Sequence, residues 1–171
     1  MRILLIKIAA LILFLFGISE TNAQINLSQT FLNRLEGNWS TDKGKSFGMP
    51  AVVTMVCKKS LDSKFIELSY TIEMSAADGK KHVFEGRAFY KPVSEIQFVG
   101  TWFDSGGETH PIKASHDSTT LTSLWGTAET KLGKTLYVFS SPNIIEIIDF
   151  IMKKDSSWKE FNRNTLYREH R

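Results

Sequence analysis

Residues Phe65 to Met74 constrain the fold more than any other stretch of this chain. Ile66, Leu68, Tyr70, Ile72 and Met74 alternate with Glu67, Ser69, Thr71 and Glu73. A period of two sends one set to each face of a strand, one dry and one wet. Asp78-Gly79 follows and supplies the left-handed backbone of a tight hairpin. Strand-length segments then recur: His82 to Lys91, Ile96 to Trp102, Thr109 to His116, Thr119 to Trp125, Lys134 to Phe139, Ile144 to Met152 and Trp158 to Arg168. Pro92, Asp104-Ser105-Gly106-Gly107, Asp117-Ser118, Gly126, Gly133, Ser141-Pro142-Asn143 and Asp155-Ser156-Ser157 punctuate them. With Trp39 and Ala51 to Lys59 the count reaches about ten strands on short connections. That pattern specifies an all-β fold, a single antiparallel up-and-down β-barrel.

The chain enters the barrel through a short helix. Ser28 is placed to cap it, Phe31, Leu32 and Leu35 make one apolar stripe, and Gly37 can end it. So short a helix needs a surface to pack on, and the open end of a barrel provides one. Asp42 to Pro50, with two glycines, a proline and two lysines, reads as a mobile loop and a candidate portal. Gly86, Ala88 and Gly100 are small among large neighbours, as tight strand curvature requires. Ile144 to Met152 is apolar on both faces apart from Glu146 and Asp149. Its outer face is a candidate homodimer contact or a seat for the N-terminal helix, and its isoleucines favour strand over helix.

The first residues belong to export. Met1-Arg2 and Lys7 are basic, Ile8 to Ile18 is almost wholly apolar, and Thr21 and Ala23 have the spacing a signal peptidase reads. Cleavage is expected after Ala23, leaving residues 24–171 as one domain in the periplasm or outside the cell. The apolar run falls short of the ~20 residues that span a bilayer, so no stable membrane insertion is expected after cleavage. The full chain of 171 residues carries a net charge of +3 with its lysines scattered, which gives nucleic acid no basic footprint. Cys57 is the only cysteine, so a packed core and not disulfides must hold the domain. Nothing around Cys57 marks a reactive thiol.

The helix running into Gly37-x-Trp39, the ten strands and a last strand bearing arginine together resemble the calycin superfamily. That group holds lipocalins, fatty-acid-binding proteins, nitrobindin-like haem barrels and bacterial lipocalin-like domains. Phe84-Glu85-Gly86-Arg87-Ala88-Phe89-Tyr90 and Gly100-Thr101-Trp102-Phe103-Asp104-Ser105 are similar to the bacterial domains. The resemblance implies that Trp39 sits at the closed end with an arginine over its ring, Arg163 or Arg168. A guanidinium over an indole gains a cation–π attraction and would staple the first strand to the last. Fatty-acid-binding relatives imply an inward arginine and tyrosine for a carboxylate, and Arg163 and Tyr167 match that pair loosely. Haem-binding relatives imply a late histidine, which the last strand lacks, so no cofactor is assigned.

Alternation directs Tyr70, Tyr90, Trp102 and Trp125 into the barrel, with either Phe161, Arg163 and Tyr167 or the opposite set around Arg168. The candidate ligand-binding residues are therefore Trp39, Tyr70, Tyr90, Trp102, Trp125, Arg163 and Tyr167, and the expected ligand is a small hydrophobic molecule or organic acid. No metal ligands and no catalytic residues are assigned. His110 and His116 lie six residues apart, ~20 Å along a strand, too far to share one ion. Asp104-Ser105 near His110 lacks the strand–elbow–helix context of a hydrolase nucleophile and reads first as a turn. A barrel filled by its own aromatics and acting through its surface is the second reading, and a haem-binding or enzymatic barrel the last.

Overall fold

The computed structural model describes residues 31–169. The expected signal segment, the Ser28 cap and His170 lie outside them. The chain runs through one short helix, α1 (Leu32–Leu35), into ten strands. These are β1 (Gly37–Ser46), β2 (Met49–Ser60), β3 (Phe65–Ser75), β4 (Lys81–Pro92) and β5 (Gln97–Asp104). After them come β6 (Thr109–His116), β7 (Thr120–Gly126), β8 (Leu132–Ser141), β9 (Ile144–Met152) and β10 (Trp158–Arg168). Every strand pairs antiparallel with its sequence neighbours, and β1 pairs with β10, so the sheet closes into a barrel. Full closure removes exposed strand edges and the pairing with other chains that they invite.

Alternation sets the faces. On β3, Ile66, Leu68, Tyr70, Ile72 and Met74 all point inward and are buried. On β4 and β5, Ala88, Tyr90 and Phe98 join the core. β9, apolar on both faces in sequence, is a strand whose inner row is Ile145, Ile147, Asp149 and Ile151. On its outer face Arg163 stands opposite Ile148, and the Lys134 ammonium lies 4.6 Å from the Phe150 ring and 4.5 Å from Trp158. The N-terminal helix does not sit there.

The helix closes one end of the barrel instead. Leu32 and Leu35 are fully buried, and Phe31 stacks on His116 at 4.9 Å and meets Phe139 edge-on at 5.3 Å. Beneath it lies Trp39, whose indole N–H donates to the Leu35 carbonyl at 2.8 Å. The Arg168 guanidinium covers the indole at 4.1 Å. Its Nη1 donates to the Glu36 carbonyl, its Nη2 to the Arg34 carbonyl (2.7 Å) and its Nε to the Pro142 carbonyl (3.2 Å). A single arginine thus caps the C-terminal end of α1, the β8–β9 turn and the first strand's tryptophan.

Asp42 to Pro50 is not a loop. β1 continues through it to Ser46 with a register shift between Thr41 and Gly44, turns at Phe47-Gly48, and returns as β2 from Met49. The glycine at 44 lets β1 pass close to Val53 and Asn164, and Gly48 takes the positive φ that the two-residue turn needs.

Because Arg168 serves three carbonyls in a fixed fork, lysine cannot replace it. Arg168→Lys is expected to lower unfolding stability by ~2 kcal/mol or more, and Trp39→Ala by ~3–5 kcal/mol. Urea unfolding of both variants beside the parent checks this. Arg163→Lys, on the outer wall, is expected to shift the midpoint far less.

Candidate functional site

The opposite end of the barrel is hollow. A cavity of about 400 Å³ lies inside it, walled by Tyr70, Tyr90, Trp102, Trp125, Tyr137 and Ile147 among others. Phe47 at the β1–β2 turn stacks on Phe161 at 6.2 Å across the mouth. The stretch expected to be a portal loop is therefore at the mouth, as a hairpin tip.

Two indoles keep this space shaped. Trp102 lies against Gly86 on β4, and Trp125 against Gly133 on β8; a Cβ at either glycine would sit inside the ring. Gly86 is thus a seat for Trp102 and not merely a point of curvature, whereas Gly100 does allow close backbone approach, to the Phe89 carbonyl. Both indole N–H groups are satisfied, Trp102 by Asp104 Oδ2 and Trp125 by Thr135 Oγ1, each at 3.2 Å. An aromatic with its polar tip anchored presents the rest of its ring to the cavity.

One polar row crosses the apolar wall. Thr135, Asp149 and Asn162 are register partners on β8, β9 and β10. Thr135 Oγ1 donates to Asp149 Oδ1 at 2.6 Å, and Asn162 Nδ2 donates to Asp149 Oδ2 at 2.8 Å. Asn164 Nδ2 donates to Asn162 Oδ1 at 3.0 Å. Asn164 also exchanges two bonds with the Lys45 backbone, accepting its N–H at 2.9 Å and donating to its carbonyl at 3.1 Å. In this way a side-chain amide pairs β1 with β10 where the two strands diverge.

Burial pushes the Asp149 carboxyl above the usual carboxylate range, against the lowering effect of Thr135 and Asn162. The Tyr70 hydroxyl is buried and makes no hydrogen bond of good geometry, although the Asn162 and Asn164 amides lie near enough to oppose the effect of burial on its ionisation. The Tyr90 hydroxyl meets Ser123 Oγ at 3.0 Å. Burial suppresses the ionisation of all three cavity tyrosines, Tyr70, Tyr90 and Tyr137, and the Asp149 charge adds to that effect in each case. They remain neutral donors and acceptors at ordinary pH.

The rim carries a second polar group. Asp104, Glu108 and His110 bring ligand atoms within 4.8 Å of one another. All are already engaged. Asp104 Oδ1 caps the Gly106 and Glu108 amides, and Glu108 Oε2 is 2.8 Å from His110 Nε2 and 3.0 Å from Lys131 Nζ. Lys131 first and His110 second hold the Glu108 carboxyl below its ordinary range. Asp104-Ser105 is the turn that its sequence suggests, with Ser105 Oγ accepting the Glu85 amide.

Of the expected site residues, Tyr70, Tyr90, Trp102 and Trp125 line the cavity. Trp39 does not; it belongs to the closed end. Arg163 and Tyr167 are on the outer wall, where Arg163 bridges Glu160 and Glu146 at 2.7 and 2.9 Å. The cause is a bulge in β10 between Glu160 and Asn162. The extra residue lets Phe161 and Asn162 both face inward, and every later residue changes face. Arg168, and not Arg163, therefore reaches Trp39. Alternation passed over Asp149, Thr135, Tyr137 and Asn162. Asp149 left one trace, as the single charged residue in an inner row of isoleucines.

No protein family matches the sequence, and no curated protein matches it significantly.

Two predictions rest on these ionisations. Cys57 is buried in the β1–β2 wall, and burial, reinforced by the Glu36 charge and opposed by Arg168, pushes its thiol up to about 12. A maleimide is expected to label it only in denaturant at pH 8, and fast labelling of the folded protein would contradict this site. For Asp149, the folded pKa lies above the unfolded value of about 3.9, so the native state keeps a proton that the unfolded chain has lost. Stability from this group falls as pH rises from about 4 through the raised value. Unfolding of the parent is therefore expected to show a loss across that window that is missing from the Asp149→Asn variant.

Proposed function

We propose that this protein is an exported binding module that holds a small amphipathic molecule inside a calycin-like barrel. The supporting observation is the cavity itself: about 400 Å³, inside a closed sheet, apolar in its walls, with a few convergent polar groups. Ligand sites of small molecules span ~300–1,000 Å³ and share that composition. The basic, apolar and small-residue succession of residues 1–23 supports export. The Trp39–Arg168 contact supports the kinship with calycins, since it joins first and last strands in the way the sequence resemblance implies. Ligand entry past the Phe47–Phe161 pair follows from their position at the mouth.

The experiment is titration with a neutral hydrophobic fluorophore, N-phenyl-1-naphthylamine, together with native mass spectrometry of the purified protein. Binding at one site per chain is expected, with quenching of Trp102 and Trp125. Ile72→Trp, which fills the cavity, is expected to weaken binding at least tenfold, and so is Trp102→Ala. Binding that ignores both substitutions would place the dye on the surface and remove the proposal.

A further inference from the structure

The polar groups inside the cavity have a sign, and it is negative. Its lining holds three carboxyl groups, Asp104, Glu108 and Asp149, and one lysine, Lys131. That lysine is already bonded to Glu108 at the rim. Among the described residues no arginine faces inward along the cavity wall, because the β10 bulge turns Arg163 out. A bound carboxylate would find no free cation among the described residues of the lining and would meet Asp149 in a poorly solvated space, where like charges repel strongly.

Asp149 is also the one cavity carboxyl without a cation or turn amide to serve. Each of its oxygens accepts a single hydrogen bond, from Thr135 and from Asn162. A carboxylate has about four acceptor sites, so capacity remains. Its side chain is mostly covered by protein, and it lines the cavity. Nearby, the Tyr70 hydroxyl is buried to 7 % exposure and lacks any partner. Tyr70, Tyr90 and Tyr137 line the same cavity as Asp149. A carboxylate in a cavity walled by tyrosines, with Trp125 anchored to the same Thr135, suits an alkylammonium group. The charge would meet Asp149, an N–H would find the free Tyr70 oxygen, and the aromatic faces would attract the cation further.

Resting on the reading of the barrel as a binding module, we propose that its ligand is a small amphipathic amine, seated with its ammonium on Asp149 and Tyr70 and its apolar body against Trp102 and Trp125. The rim carboxylates Asp104 and Glu108 then favour entry of a cation over an anion.

The test is a matched set of probes, 4-phenylbutylamine, 4-phenylbutanol and 4-phenylbutyrate, each titrated by calorimetry and by quenching of the cavity tryptophans. They share one apolar body and differ only in the head. The amine is expected to bind at least tenfold more tightly than the alcohol, with the acid weakest. Asp149→Asn is expected to abolish the amine's lead. Equal binding of all three, or tightest binding of the acid, would overturn the amine assignment while leaving the cavity as a binding site. A preference for amine that survives Asp149→Asn and disappears in Glu108→Gln would overturn it too, by moving the cation to the rim. Failure of every probe, together with failure of the neutral fluorophore, would remove the binding reading beneath it. The comparison among probes on the parent protein decides the matter even if a variant folds poorly.

Discussion

The contact between Arg168 and Trp39 is the constraint on which the rest of the barrel depends. A ten-stranded sheet is free of edges only if its first and last strands meet, and among the described residues they share two register pairs, Trp39 with Arg168 and Ser40 with Tyr167, with Glu169 N–H donating to the Asn38 carbonyl beyond them. Backbone pairing at that seam is therefore brief. The guanidinium adds a cation–π contact to the buried indole and three hydrogen bonds to carbonyls of α1 and the β8–β9 turn. These bonds tie α1 and the β8–β9 turn to the last strand, and hydrogen bonds from a charged donor each contribute ~1.5–3 kcal/mol at most. Further along, Asn164 takes over with its own amide as a substitute for strand pairing. The helix, the seam and the turn are thus held by two polar side chains from one strand.

Firm closure at one end is what permits a hollow at the other. The closed end is filled by Phe31, Leu32, Leu35, Trp39, Phe98 and Phe139, all buried. Toward the mouth the large residues are laid flat along the wall: Trp102 over Gly86, Trp125 over Gly133. An indole parked against a glycine occupies wall thickness that a side chain would otherwise take, and leaves the axis open. Anchoring of each indole N–H fixes the ring there. Cavity volume in this protein follows from a pairing of residue sizes across adjacent strands.

The alternation of apolar and polar residues disclosed the strand number, the inner faces of β3 to β5 and four of the cavity aromatics, because a period of two is enforced by the pleat itself. Two features escaped it. Asp42 to Pro50 looks like a loop by composition, yet its polar residues form strand because hydrogen bonds to β2, and from Asn164, outweigh weak local propensity. The bulge at Phe161 is the other. A one-residue insertion exchanges the faces of everything after it, and no residue in Glu160-Phe161-Asn162 announces it. Extrapolating the period through that point sent Arg163 and Tyr167 inward and concealed Asn162 and Asn164. The polar row of the site was illegible for the same reason, since it exists only once Asn162 stands opposite Asp149.

That polar row distinguishes this cavity from a core that merely packed loosely. A loose core loses dispersion contacts, but its lining stays apolar and carries no polar obligation. Here an aspartate sits in an inner row of isoleucines, its pKa raised by burial, with acceptor capacity to spare, and a tyrosine hydroxyl of the same cavity makes no hydrogen bond of good geometry. Both arrangements oppose folding in the empty barrel: the carboxylate is poorly solvated, and the hydroxyl has left water for nothing. Apolar residues of similar size at both positions would relieve that opposition without disturbing the closure at Trp39 and Arg168. Groups that weaken the empty state while facing the hollow gain a physical rationale once something inside the barrel bonds to them, and their polarity is then a property of what the barrel holds.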